Sequence, residues 1–339
     1  MTGLTRRGFL KVAGVAGLAL TSGCSAVGSG APLVTAEGGG LQLEAPGAIE
    51  ITSTGELFLT SYRGAPSVDQ TSWRLSIDGL VENPLTLTYD QILAYPKVEA
   101  PRTLECIGNP PGGGLIGNPI WGGFEAQRLW ETVGIKPEAR RARLVGADGF
   151  ETAVDNRWIT QPGVLMIHQI NGEPLPEEHG FPLRILIPGL YGQKMPKWLT
   201  RVEFIAEDFL GTWERQGWSN EASVRTNSLM QQPEDRGSVG RGPTPVYGIA
   251  FAGLRRITAV EVRIDEGDWI PAELVQDASP LVWTQWSFEW EAAAGTHTLA
   301  VRATDETGFV QGSAGAMIGR GAFPDGADGV HQIVVTVRG

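Results

Sequence analysis

The 339-residue chain has only two cysteines, Cys24 and Cys106. That scarcity excludes a disulfide framework, a cysteine-ligated iron–sulfur cluster and a Cys-x-x-Cys-His haem attachment. Positive charge is also scarce: 27 Lys and Arg face 38 Asp and Glu, a formal net charge of -11. With no basic stripe and no zinc-finger spacing, nucleic acid is excluded as a partner. Long apolar runs are missing too, since the stretch 12–20 is too short and glycine-rich for a comfortable bilayer span. Gly112-Gly113-Gly114 is not followed by Gly-Lys-Ser/Thr, so it is not a phosphate-binding loop; close backbone approach or a plain turn accounts for it. An apolar fraction of 42% with 19% charged residues is the composition of a globular protein, and the length suits two domains.

Near the start, Thr5-Arg6-Arg7-Gly8-Phe9-Leu10-Lys11 precedes the apolar stretch and reads as a twin-arginine export signal. It sets the expected location as periplasmic or otherwise extracytoplasmic. Such signals serve proteins exported after folding, which points to a cofactor already inserted. Thr21-Ser22-Gly23-Cys24 partly resembles a lipoprotein cleavage site, with Thr21 where an aliphatic residue is usual. Lipid anchoring at Cys24 and simple cleavage both remain open. In either case the mature chain keeps only Cys106, as a buried hydrophobe or a working thiol.

Residues 26–55 are rich in Gly, Ala and Ser and read as a flexible tether, with folding expected after it. Alternation predicts a strand over 73–80, and Thr88-Tyr89-Asp90-Gln91 has capping-box spacing for a helix through Leu93. Another strand is expected over 102–106, ended by Gly108-Asn109-Pro110-Pro111. Phe124, Leu129, Trp130 and Val133 lie at helical spacing, with Gly134 as the stop. Strands follow at 142–145, 164–170, 183–187 and 198–205, with Asn171-Gly172 as a turn. Helices and strands mix without regular alternation, which predicts an α+β first domain. The composition of 231–245 reads as a linker. Beyond it, Val260, Val262 and Ile264, then Trp286, Phe288 and Trp290, then Leu299, Val301 and Ala303, then Ile333, Val335 and Val337 alternate with period two. Turns such as Asp265-Glu266-Gly267-Asp268 intervene, and the pattern predicts a β-sandwich.

Several motifs occur in order: Thr103-Leu104-Glu105-Cys106-Ile107-Gly108-Asn109; Gly117-Asn118-Pro119-Ile120-Trp121-Gly122-Gly123; Asn171-Gly172-Glu173-Pro174-Leu175-Pro176; and His179-Gly180-Phe181-Pro182-Leu183-Arg184, with Pro188-Gly189 and Lys197-Trp198-Leu199. From about Phe58 to the C-terminus the chain resembles the sulfite oxidase family of molybdenum-cofactor oxidoreductases. With the signal placed over 1–24 and the tether over 25–55, the resemblance implies a molybdopterin-binding catalytic domain over 56–230 and an immunoglobulin-like, dimerisation-type sandwich over 231–339. A homodimer and a monomer both fit. It makes Cys106 the metal ligand, as suits a soft metal that takes a thiolate. It assigns His179, Arg184 and Lys197 to the pterin phosphate, where a planar fork and a compact charge suit an anion. Tyr62 and Asn109 are implied as looser cofactor contacts. Arg320, in Gly319-Arg320-Gly321, matches an arginine that reaches the substrate pocket in relatives; a solvated loop arginine is the other reading.

The chain departs from the family where sulfite would bind. Thr60-Ser61-Tyr62 stands in place of an Arg-Asn-His stretch, Pro110-Pro111 in place of an arginine, and Trp218 in place of a tyrosine. Each lost charge-assisted contact removes about 1.5–3 kcal/mol from a dianion site. Arg63 is the nearby residue that could supply a guanidinium. The leading expectation is an exported molybdenum enzyme that transfers an oxygen atom on a small substrate: oxidation of a small sulfur compound, or reduction of an S- or N-oxide. Without haem or iron–sulfur motifs, its electrons pass to an external carrier such as a cytochrome c or a quinone-linked protein. A second expectation is sulfite dehydrogenase activity rescued by Arg63 or Arg320. A third is a metal-free binding or scaffold protein of the same fold.

Overall fold

The computed structural model describes residues 49–275, 279–313 and 321–339, so the twin-arginine segment, Cys24 and Arg320 lie outside the described residues. The first half comprises β1 (Arg74–Gly79), β2 (Leu85–Thr88), α1 (Tyr89–Leu93), β3 (Val98–Pro101), β4 (Leu104–Glu105), β5 (Ile116–Gly117), β6 (Ile120–Glu125), α2 (Gln127–Val133), β7 (Arg141–Gly146), β8 (Glu151–Asp155), α3 (Asn156–Ile159), β9 (Leu165–Ile170), β10 (Glu173–Pro174), β11 (Arg184–Leu186) and β12 (Leu199–Ile205). One sheet has the order β2-β1-β12-β7-β8, with β1 and β12 parallel. A second runs β10-β9-β6-β3, with β11 also on β9, and β4 pairs with β5. The two larger sheets share a core because their apolar faces alternate inward: Leu75 and Ile77 from β1, Ala142 and Leu144 from β7, and nearly all of β9 are buried in one cluster.

The capping box forms as expected, with the Thr88 hydroxyl accepting from Gln91 N and the Gln91 side chain accepting from Thr88 N. The helix expected to include Phe124 starts later. Phe124 lies in β6 opposite Met166 of β9, and α2 begins at Gln127. Phe124 and the helical Leu129 and Val133 face one core from two elements, which imitated a single helical stripe. The strand expected over 102–106 shrinks to Leu104–Glu105, because Arg102 N and Thr103 N donate to Pro119 O and Leu281 O. Ordered structure also begins before Gly55: Thr52 N donates to Asn118 O, Asn118 N to Thr52 Oγ1, and Asn171 Nδ2 to Thr52 O.

The second half comprises β13 (Asn227–Gln232), β14 (Ser238–Gly240), β15 (Gly242–Phe251), β16 (Ile257–Ile264), β17 (Trp269–Pro271), β18 (Glu273–Leu274), β19 (Thr284–Ala292), β20 (Gly295–Asp305) and β21 (His331–Arg338). Two sheets, β13-β15-β19-β18 and β14-β21-β20-β16-β17, bury Val246, Trp286 and Trp290 against Val260, Val301 and Val335 as a sandwich. The stretch read as a linker is strand instead. Pro243 and Pro245 sit on exposed positions of β15, beyond the part of that strand that pairs with β13, where a missing N–H costs nothing.

A third cluster seals the two halves together. Ile107, Tyr191, Ala222 and Val224 pack on Ile249, Phe251, Val282 and Trp283.

Candidate active site

The thiol sits where β4 ends. Cys106 N donates to Leu115 O at 2.9 Å, and Asn109 N donates back to Cys106 O at 2.9 Å, so residues 106–109 form a tight turn. Asn109 is an internal brace of that turn: its Nδ2 donates to Glu105 Oε1 at 3.0 Å and its Oδ1 accepts from Leu115 N at 2.9 Å. Glu105 is buried, and its other oxygen accepts from Asn227 Nδ2 of β13 at 3.0 Å. Burial pushes the Glu105 carboxyl up to about 7, against the pull of the two amides. Burial also pushes the Cys106 thiol up; the Gly108 N–H pulls it down, and Glu105 adds to the rise.

Cys106 opens on a cavity of about 250 Å³. The same cavity is lined by Tyr62, His179, Arg184, Lys197 and Trp218, side chains drawn from distant parts of the chain. Arg184 opens β11 and is only 4% exposed; its Nη1 donates to His179 O at 3.1 Å, and its guanidinium lies 5.0 Å from the centre of the Trp121 ring. Its Nε has no partner. Burial brings its pKa down to about 10. Lys197 Nζ donates to Glu178 O at 2.7 Å and lies 4.5 Å from the centre of the Trp198 ring. Burial, reinforced by Arg184, lowers its pKa to about 8. Lys197 passes close only because Gly180, at φ +114, has no side chain: a Cβ there would stand 3.1 Å from Lys197 Cβ.

His179 is buried at the end of a 3₁₀ turn, Glu177–His179, and its Nε2 lies 3.1 Å from Thr54 O. A contact from this ring to an anion therefore falls to Nδ1, which donates only when the ring is charged. Burial and then Arg184 lower its pKa, the Thr54 carbonyl opposing them.

Two residues expected in the site stand apart from the cavity wall. Asn109 faces inward as described. Arg63 is exposed, its guanidinium 4.8 Å from the centre of its neighbour's ring in Tyr62 and its Nη2 donating to the Tyr62 hydroxyl at 3.4 Å. Trp218 is placed beside the thiol, because a Cβ built on Gly108 would stand 3.8 Å from Cys106 Sγ and 3.8 Å from Trp218 Cη2. Several lining residues gave no signal in the sequence: Phe150, Trp213, Gln193 and Asp148. Phe150, Trp213 and Asp148 come from loops and Gln193 from the 3₁₀ turn Gly192–Lys194, with no shared spacing, and Asp148-Gly149 reads as an ordinary turn.

The family profile of the oxidoreductase molybdopterin binding domain matches residues 62–213. An uncharacterised oxidoreductase of Bacillus subtilis, YuiH, is 35% identical over 150 residues, which are 44% of this chain and 74% of that protein. The chain belongs to the sulfite oxidase family of molybdopterin-dependent oxidoreductases. Sulfite oxidase of Arabidopsis thaliana is 28% identical over 263 residues, covering 62% of this chain and 67% of that one. An NADH nitrate reductase of rice is 27% identical over 76% of this chain, which spans only 35% of that protein. Among solved structures, the sulfane dehydrogenase SoxCD of Paracoccus pantotrophus superposes with a TM-score of 0.73 at 25% identity, covering 85% of this chain and 83% of that one.

The residues present fit the cofactor of that family. Arg184 is buried with an unpartnered Nε and no opposite charge acting on it, and two more basic side chains share its cavity, an arrangement that favours an incoming anion. Gln193 adds a buried Oε1 without a partner on the same wall. A lone thiol completes a donor set of one soft ligand and several anion-binding groups.

Proposed function

We propose that this protein is an exported enzyme that transfers an oxygen atom to or from a small substrate and exchanges two electrons with an external carrier, such as a cytochrome c or a quinone-linked protein. The observation that carries the reading is the buried Arg184, its Nε unpartnered, in the same cavity as the lone thiol of Cys106. Bound there, the molybdenum cofactor supplies a two-electron redox couple and the point of oxygen exchange.

The chain's own residues hold and orient. Cys106 gives a thiolate; burial keeps its proton on until a metal's charge outweighs that cost. Arg184 and Lys197 take the pterin phosphate, the guanidinium by two parallel donors and the ammonium as a point charge. His179 adds Nδ1 once charged, and an incoming phosphate favours that state. Tyr62, packed edge-on against Trp213 at 5.9 Å, lines the cavity. Sulfite dehydrogenation is the weaker alternative, because Arg63 is exposed beside Tyr62 and is not among the residues that line the cavity.

Cys106→Ser tests the reading. The variant keeps the wild-type circular dichroism and melting curve and loses turnover with artificial electron carriers. Turnover at the wild-type rate would refute the assignment of Cys106.

A further inference from the structure

Phe150, Gln193, Trp213 and Trp218 line the cavity from separate stretches of chain, and one buried ammonium ties those stretches together. Lys194 ends the 3₁₀ turn Gly192–Lys194 and is 1% exposed, and neither it nor its partner Glu214 is among the residues that line the cavity. Its Nζ stands within hydrogen-bond reach of Glu214 Oε1, of Ala153 O at 3.0 Å, of Asn220 Oδ1 at 3.1 Å and of Thr152 Oγ1 at 3.2 Å. An ammonium has three protons, and the Thr152 hydroxyl, the most distant of the four, itself donates to Glu214 Oε1 at 2.6 Å.

Each member of this network adjoins a lining residue. Lys194 follows Gln193 and Glu214 follows Trp213; Thr152 is two residues after Phe150, and Asn220 two after Trp218. Two further bonds brace the same segments: Gln193 Nε2 donates to Ser219 O at 3.0 Å, and Trp218 N to Trp213 O at 3.3 Å. Burial lowers the Lys194 pKa and Glu214 opposes that shift, so the charge is kept only while its partners stay in place. Bonds to a charged donor are short and directional, and in a dry interior a lost one is not replaced by water. Apolar packing would tolerate small slips between the segments, whereas this network does not.

We propose that Lys194 is a positioning residue of the cavity, whose ammonium sets from behind where Phe150, Gln193, Trp213 and Trp218 stand. It acts through those side chains and not by contact with a substrate. The proposal rests on the oxidoreductase reading above only for the use made of the cavity, because the placement of its wall is a property of the chain without cofactor.

The test uses the cofactor-free full chain. Lys194→Met alone strands the Glu214 carboxylate and lowers the melting temperature; Lys194→Met/Glu214→Gln strands no charge and regains most of that loss. Asn220→Ala cuts only the link to the Trp218 segment. Wall position is read from the tryptophan bands of near-ultraviolet circular dichroism and from the rate at which iodoacetamide labels Cys106, beside which Trp218 stands. The double variant and Asn220→Ala should both keep the far-ultraviolet spectrum and lose part of the tryptophan signal, with labelling about tenfold faster in the first and about threefold faster in the second. A pair that only stabilises the fold would recover both readouts along with the melting temperature. A folded double variant with the wild-type tryptophan signal and labelling rate would therefore overturn the proposal; if the double variant does not fold, the same result in Asn220→Ala overturns it. Native protein that takes up no molybdenum would sink the oxidoreductase reading and leave these readouts as they stand.

Discussion

At the scale of single residues, the site is defined by two basic groups that the fold buries in whole or in part, Arg184 and Lys197, of which Asp148 and Glu178 offset only Lys197. Arg184 and Lys197 are brought within mutual influence, and burial lowers the pKa of both. Their cost to the fold makes sense when an anion is the intended partner. Lys197, at about 8, gives the clearest readout. Sulfate has a fixed charge over the neutral range, so its binding to the cofactor-free full chain reports the protein's titration. Its affinity should fall about tenfold from about pH 7 to about pH 9, followed by tryptophan fluorescence, and Lys197→Met should remove the pH dependence. The folding contribution of the same group has the opposite slope. Its folded pKa lies below the ordinary 10.5, so the cost of burying its charge is present below about 8 and is relieved as the pH rises towards 10.5. Cofactor-free protein should therefore gain stability over that interval, and Lys197→Met should lack the gain in urea melts.

At the scale of elements, the loop after β4 is held from the sandwich as much as from its own domain. Asn227 of β13 donates to Glu105, Trp283 N donates to Thr103 Oγ1 at 2.8 Å, and a Cβ on Gly112 would collide with the His331 ring of β21. Asn227→Ala leaves one oxygen of a buried carboxyl unpaired, which should cost about 1–3 kcal/mol in urea denaturation. The loosened loop should also let iodoacetamide label Cys106 faster in the cofactor-free chain. Unchanged stability and labelling would show that Asn227 does not hold the loop. The elements themselves were largely legible: the box at Thr88 to Gln91, the alternation in β7, β16 and β21, and the Asn171-Gly172 turn each carry a local cause. Phe124 was misplaced because two elements presented apolar residues to one core at helical spacing. Thr52 and Thr54 were read as tether because their partners, Asn118, Asn171 and His179, lie far along the chain.

At the scale of the whole molecule, the two halves are not beads on a string. The stretch read as a linker is built into strands, and the shared cluster around Ile107, Tyr191 and Trp283 spans both halves. Each such side chain contributes about 1.5–3 kcal/mol when buried, so unfolding one half exposes a penalty on the other. Calorimetry of the full chain should show one transition; two well-separated transitions would contradict this coupling. The cofactor motifs and Trp218 were legible because metal, phosphate and substrate chemistry restricts residue type, whereas Phe150 and Trp213 were brought to the cavity only by folding. The central claim is that this cavity carries a molybdenum centre bound through Cys106 and anchored by Arg184. Elemental and pterin analysis of protein from a cofactor-competent host tests it most directly. The account predicts close to one molybdenum and one pterin per chain in the wild type and strong depletion of both in Arg184→Ala. Folded wild-type protein without stoichiometric molybdenum, or an Arg184→Ala variant as fully loaded as the wild type, would contradict it.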